Sequence, residues 1–556
     1  MKLWSFGLVI FFLCNQQWSP TLLAQSKERI NGHRIVLDAH GKLLSWVNPQ
    51  ERAYDQVVRL GWDFLKNKVP VESNGLKTYL THSTFDPSTL HGTDWPHHPA
   101  GLYAMFVDSA LAYFAYTGDS EVLDRVREML DYQLAHGTTP SGWDWANVPY
   151  ASSDADALEY FGADDRYYCN KEDKLNFACG VGDGHYVLEP DKIGELGLGY
   201  LRYYQLTGES KYREGAIACA NGLAAHVRPG DLTHSPWPFR VFAHTNVPRE
   251  EYTSDVIGPV KLFDELIRLG LGNVTAYRRS RGTAWDWMMN FPMKNNLWGA
   301  YFEDVAFDTI LENWNQYCAL ETARYLLTYP ETDSDWKSHA VGLIGWAEKT
   351  FAVDVKATDR YRWVQLEPIQ YGRQWGANVI SEQTRDDMNK MGSHTSRYAS
   401  LCALWYEKTG DESFKEKAFR SFNWATYMAH EDGLITEAMA EHEFWFSDGY
   451  ADYIRHFFSG MGSVPEWAPP KENHLLRSSS VVQKIQYKSS EISYTTFDPE
   501  ADEVLRVAFT PTRITANGAA LARRSDLMEP GWVFDASTGV LRVRHQKAKN
   551  IVISGK

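Results

Sequence analysis

Side chains able to give, take or stabilise a proton gather in six short stretches of this chain. The first, HGTDWPHHPAG, carries Asp94, Trp95, His97 and His98, and the second, GDGHYVLEPDKIGE, carries Asp183, His185, Glu189, Asp191 and Glu195. Tyr252 and Asp255 come next, then Asn313, Trp314, Asn315, Gln316 and Tyr317. His394 follows, preceded by Glu382, Asp386 and Asp387, and the last stretch holds Glu441, His442, Glu443, Trp445 and Asp448. Carboxyl groups among aromatic rings suit the hydrolysis of a glycosidic bond. That reaction needs a carboxylic acid to protonate the leaving oxygen and a carboxylate opposite it, roughly 5 Å away for retention or about 6.5–9.5 Å for inversion. Burial beside aromatic rings is what keeps such an acid protonated.

On this reading Glu189, Asp448, Asp94, His185 and His394 are the expected catalytic residues. Glu189 directly precedes Pro190 and lies near His185, a setting that helix capping alone does not explain. Trp95, His98, Asp191, Tyr252, Asp255, Asn313, Asn315, Trp314 and Trp445 are expected to bind substrate. The rival role for Asp94, Asp191, Asp255 and Asp448 is capping, in which a side-chain oxygen accepts from the N–H groups of a first helical turn. A histidine at a helix start is otherwise a packed, hydrogen-bonded side chain. No His-Glu-x-x-His, His-x-x-Glu-His or Cys-x-x-Cys spacing occurs, and phosphate-cradling glycine loops and Gly-x-Ser-x-Gly elbows are missing. No metal and no cofactor is expected. The string GELGLGY (194–200) belongs inside a helix, where small residues permit close packing.

The elements that would position these residues emerge as an internal repeat. AYFAYTGDSEVLDRVREML (112–130) returns in outline at 202–220 and 404–422, with looser copies at 262–280 and 323–341. Each copy is an apolar helix, a short turn carrying Gly or Pro, and an amphipathic helix. The first helices, such as 101–116 and 192–206, are apolar nearly all round and must be covered on several sides, which places them in an inner ring. A sixth hairpin forms if the last inner helix, near 444–458, pairs with the early helix 52–69. That pairing closes the ring and sends the start of every inner helix to one mouth. The long Trp-, His- and Asp-rich linking loops argue against an open solenoid.

A Pro-rich linker at 463–474 is followed by alternating runs at 481–487, 503–509, 532–535, 540–545 and 550–555, separated by turn residues. The fold class expected is therefore mainly α: a six-hairpin (α/α) toroid over 26–462 and a small antiparallel β-sandwich over 475–556 that braces it. Residues 1–25 read as a secretory signal peptide, with one Lys, an apolar run from Leu8 to Cys14 and a polar end, too short an apolar run to span a bilayer. The mature protein is expected outside the cell or in the periplasm, without membrane insertion. Cys169 and Cys179 share one loop and could pair, whereas Cys219, Cys318 and Cys402 sit in apolar helical runs as buried thiols.

The chain has 56 Lys and Arg against 71 Asp and Glu, a net charge of −15 that would repel nucleic acid and anionic lipid. Aromatic residues make up 14% of it, with 21 Trp and 30 Tyr, more than packing requires. Across roughly residues 50–460 the Thr-Gly-Asp/Glu turns between inner and outer helices resemble the six-hairpin glycosidase toroids. That superfamily contains glycoside hydrolases, unsaturated uronyl hydrolases, toroidal polysaccharide lyases and N-acylglucosamine epimerase-like isomerases. The resemblance is architectural and implies an enzyme acting on an oligo- or polysaccharide. A glycoside hydrolase is the leading expectation. The alternatives are a lyase acting by β-elimination beside a uronate carboxyl, with a Tyr or His base, and a glycan-binding protein without turnover. An epimerase would need paired histidines and is usually cytosolic.

Overall fold

The computed structural model describes residues 29–71, 75–77, 89–90, 99–149, 187–299, 314–352, 372–381, 390–436 and 448–556. The segment read as a signal peptide, and Cys169 and Cys179, lie outside them. Among the described residues no helix is long and apolar enough to cross a membrane.

Among the described residues twelve helices of more than two turns carry the body of the molecule. In chain order they are α1 (Ala53–Asn67), α2 (Pro99–Thr117), α3 (Glu121–His136), α4 (Pro190–Thr207), α5 (Ser210–His226), α6 (Ile257–Leu269), α7 (Val274–Asn290), α8 (Gln316–Thr328), α9 (Trp336–Phe351), α10 (Gly392–Thr409), α11 (Glu412–Thr426) and α12 (Tyr453–Ser463). The repeat has one physical cause, because the same turn is built three times. In Thr117-Gly118-Asp119, Thr207-Gly208-Glu209 and Thr409-Gly410-Asp411, the threonine hydroxyl donates to the carbonyl four residues back and accepts from the N–H two residues on. The glycine takes φ of 77–79° and closes the inner helix through its own N–H. Only glycine adopts that left-handed position without cost, so the motif ends one helix and aims the next.

The even-numbered helices form the inner ring, and each touches the next. Gly199 of α4 lies against Ala104 of α2, and Gly194 against Pro259 of α6, where a Cβ would stand 2.4 Å from the Pro259 nitrogen. The glycines of GELGLGY thus let these helices meet backbone to backbone. Lys261 of α6 reaches Glu321 of α8, and Arg324 of α8 donates to Ser400 of α10. Arg397 of α10 pairs with Asp452, at the end of the π-turn Asp448–Asp452 that leads into α12. The ring closes where Arg455 of α12 meets Asp108 of α2 and where Phe458 packs on Tyr116. α1 covers α12 from outside, with Gly61 tight against Ile454, and completes the sixth hairpin.

The C-terminal strands are β1 (His474–Ser478), β2 (Val482–Lys488), β3 (Glu491–Thr496), β4 (Ala501–Arg506), β5 (Pro511–Ala516), β6 (Ala519–Ala520), β7 (Gly531–Asp535), β8 (Val540–His545) and β9 (Asn550–Gly555). They form two antiparallel sheets, in the orders β6-β5-β9-β3-β2 and β7-β8-β4-β1. Ile492, Tyr494, Leu505, Leu541, Val543, Ile551 and Ile553 fill the space between them. The sandwich docks on the hairpin turns, at the end of the ring away from the inner-helix starts. Tyr487 donates to the Ala115 carbonyl, Gln483 to the Gln205 carbonyl at 2.7 Å, and Arg477 grips Glu407 through two bonds of 2.5 and 2.6 Å. Bracing is therefore visible as contact with α2, α4 and α10.

Candidate active site

The starts of α4 and α6 meet at Lys192, with α2 and α8 beside it. This residue is 3% exposed in the first turn of α4, and its Nζ lies 3.2 Å from Asp191 Oδ2 and 3.5 Å from Asp255 Oδ2. Burial alone would lower its pKa, but the carboxylates of Asp191, Glu195, Asp255 and Glu189 hold it well above the usual value. Gly101 of α2 faces the same group, since a Cβ there would stand 3.3 Å from Lys192 Cδ and 3.7 Å from Glu195 Oε2. From α8, Tyr317 donates its hydroxyl to Glu195 Oε1 at 2.7 Å. Four carboxyl groups from two helix starts therefore surround one ammonium.

They cannot all be ionised at neutral pH, because like charges in a buried site force a proton onto one of them. Burial, and then the Glu195 charge, push Asp255 well above the usual carboxylate range, and Lys192 offsets this only in part. Burial raises Asp191 to about 6 against the pull of Lys192. Neither Glu189 nor Asp255 caps its helix: Glu189 is the residue before α4 and Asp255 precedes Val256 before α6, and neither helix has a side-chain cap bond. Both oxygens of Asp255, and Oε2 of Glu195, are buried without a hydrogen-bond partner. Buried polar atoms are rarely left so, and such acceptors are available to donors from a ligand.

Glu189 is held in place by the short strand Val187–Leu188, which pairs with Arg240–Phe242, itself paired with Val247–Glu250. Arg240 and Glu250 lock this sheet through a buried bidentate ion pair of 2.7 and 3.0 Å. Two other expected residues bond within the chain. Asn315 accepts from Tyr317 N at 2.6 Å and caps α8, and Tyr252 donates to the Leu297 carbonyl at 2.6 Å. Trp314 is 36% exposed at the start of α8, 6.1 Å from the Trp346 ring. His394 is in the first turn of α10 near Arg397 and Asp452, and burial with the Arg397 charge pushes its imidazole down to about 3. It is therefore neutral near pH 7. Asp448 opens the π-turn before α12, and its side chain lies outside the described residues, as do Asp94, Trp95, His98, His185, Asn313 and Trp445.

Lys192, Arg397 and Asp452 are not singled out by the sequence reading. Their signal is a charged residue inside a helix that is otherwise apolar on every side, which forces the charge into the ring's interior.

No family model and no curated protein matches the chain. Among solved structures it is similar to the cellobiose 2-epimerase of Spirochaeta thermophila, with 11% identity over 75% of this chain and 98% of that one and a TM-score of 0.51. A D-mannose isomerase gives 12% identity, coverage of 74% and 96%, and a TM-score of 0.48. For a family 76 glycoside hydrolase from a bovine Bacteroides thetaiotaomicron strain the values are 11%, 74% and 78%, and 0.47. The chain has the six-hairpin glycosidase-like toroid fold. The likeness is one of fold, and the toroid's chemistry has to be argued from its own mouth, where Asp255, Glu195, Asp191 and Glu189 meet.

Proposed function

We propose that this toroid is an exported glycoside hydrolase whose proton donor is Asp255. The observation that carries the reading is a buried carboxyl beside Glu195, both of whose oxygens lack a hydrogen-bond partner where α6 begins, with burial and the Glu195 charge pushing it toward the protonated form. In the proposed reaction Asp255 gives its proton to the glycosidic oxygen as the C–O bond breaks. The opposing carboxylate either takes a proton from the attacking water or bonds to the anomeric carbon before water displaces it. Aromatic side chains at the same end, Trp314 among them, support a sugar ligand. The apolar run near the N-terminus supports export.

Elimination is the weaker reading, because it requires a uronate. A fifth carboxylate would enter a group whose one described ammonium is already committed to Asp191 and Asp255. The test is incubation with α-mannan, mixed-linkage β-glucan, xylan and polygalacturonate, following reducing ends and ultraviolet absorbance together. Hydrolysis gives reducing ends without absorbance, and Asp255→Asn loses about 10²–10⁴-fold in turnover, the usual contribution of a general acid. Absorbing products would identify a lyase. Binding without turnover, or full activity in Asp255→Asn, would also overturn the proposal.

A further inference from the structure

Resting on that reading of the mouth, we propose that Tyr317 and Arg397 are positioning residues that fix Glu195 as the carboxylate working opposite Asp255. Three contacts in series make the case. Arg397 is 1% exposed and is anchored by Asp452 and by Gln316, whose Oε1 accepts from Nη1 at 3.2 Å. Its guanidinium carbon stands 4.5 Å from the centroid of the Tyr317 ring, within the range of a cation–π contact. The Tyr317 hydroxyl then donates to Glu195 Oε1 at 2.7 Å, which holds the carboxylate by one oxygen and leaves Oε2 without a partner at the mouth.

Of the other acids, Asp191 has one oxygen on its Lys192 N–H and the other beside the Lys192 ammonium. Glu195 therefore combines a fixed orientation with an open oxygen. It also raises Asp255 more than any other charged neighbour does. The groups acting on Asp255 are Asp191, Lys192 and Glu195 of α4, Lys261 of α6 and Cys318 of α8, Glu195 is held by Tyr317 with Arg397 of α10 against the Tyr317 ring, and α2 contributes the uncharged Gly101. A hydroxyl donor on Glu195, polarised by a guanidinium against its ring, supports the carboxylate charge that pushes Asp255 up.

The experiment follows the carboxylic-acid carbonyl band of Asp255 by infrared titration, assigned by its loss in Asp255→Asn, alongside kcat and KM on whichever of the four glycans the wild type cleaves. Tyr317→Phe keeps the ring and removes the donor that fixes the Glu195 carboxylate, which weakens its hold on Asp255. The Asp255 midpoint should fall by about one pH unit or more, as expected for a nearby unit charge, and kcat should drop about ten-fold with KM little changed. Arg397→Met should do the same in the wild type and add little in the Tyr317→Phe background, since both act through one hydrogen bond. Full additivity, or an unchanged midpoint and kcat in Tyr317→Phe, would overturn the assignment. Should Arg397→Met not fold, Tyr317→Phe alone decides. Loss of turnover in Asp255→Asn with no effect of Tyr317→Phe would sink only this inference, whereas full turnover in Asp255→Asn would sink the hydrolase reading itself.

Discussion

Replacing Lys192 by Met removes the one described ammonium from among four carboxyl groups while keeping the length of the side chain. The Lys192 ammonium and an ionised Asp191 3.2 Å away attract by about 5 kcal/mol at an effective dielectric constant of about 20, and Asp255, 3.5 Å away, adds to this only as it ionises. Removing the ammonium also removes its desolvation cost. The net loss expected for breaking a buried pair from one side is about 3–5 kcal/mol. With unfolding entropy of about 2.1 cal/mol/K per residue over a helical body of roughly 400 residues, about 4 kcal/mol lowers Tm by about 5 °C. The loss should depend on pH with a definite sign. Lys192 has its pKa raised above 10.5 by its carboxylate neighbours, so the ammonium itself is lost only as pH rises through the folded value, and below that the stability it lends follows how many of those carboxyl groups are ionised. Asp191 and Asp255 have theirs raised above 3.8, so the folded state binds extra protons and stability falls as pH rises through the interval, up to about 6 for Asp191. Without Lys192 both intervals extend upward. Thermal unfolding of wild type and Lys192→Met at pH 4 and pH 8 should therefore show a small gap at the lower pH and the full gap at the higher. Adding Asp255→Asn should recover part of it by deleting one of the crowded charges. A gap of equal size at both pH values would refute the charge cluster as drawn, as would no gap at pH 8.

Two further outcomes follow from the packing. Gly194→Ala places a Cβ 2.4 Å from the Pro259 nitrogen and should cost about 3 kcal/mol with loss of activity, whereas Gly282→Ala in α7, with nothing within 4 Å, should be neutral or stabilise by up to about 1 kcal/mol; denaturant unfolding of the two separates close approach from generic helix propensity. Trp314→Ala should lower kcat/KM about ten-fold on a long glycan, about 1.4 kcal/mol of binding, and leave the shortest cleavable oligosaccharide unchanged. Equal loss at both lengths would make Trp314 a packing residue.

The scaffold was legible because its signals are local. A Thr-Gly-Asp or Thr-Gly-Glu turn satisfies its own hydrogen bonds within a few residues, so three copies of the motif announce three hairpins before any tertiary contact is known. The expected strands fall close to β2, β4, β7, β8 and β9 for the same reason, since alternation is written in each strand. The site was legible only as a neighbourhood. Glu189, Asp191 and Asp255 do meet, but their roles depend on long-range contacts. Asp255 suits a binding role until Glu195 and burial are seen to hold its proton. Asn315 and Tyr252 have residue types that suit a ligand, yet their polar atoms are engaged by Tyr317 N and the Leu297 carbonyl. Arg397 looks like one more surface arginine until its helix is known to be enclosed on every side.

Two sets of charges lie inside the ring. At the mouth Glu189, Asp191, Glu195 and Asp255 outnumber Lys192. In the second set Arg202, Lys261, Arg324, Arg397 and Arg455 are set against Asp108, Glu321 and Asp452. Burial alone would raise Asp452, but Arg397, Arg455 and His456 hold it well below the usual carboxylate range. The cations in this set offset anions that would otherwise repel one another. Its bonds also run between helices: Asp108 to Arg202 and Arg455, Lys261 to Glu321, Arg324 to Ser400, and Arg397 to Asp452. Each such bond resists sliding of one inner helix past the next. Paired-carboxylate chemistry tolerates errors of only about 0.5 Å in the placement of its groups, and here those groups sit at the starts of separate helices. A set of bonds that fixes the helices relative to one another is what the proposed pairing of Asp255 with Glu195 would require.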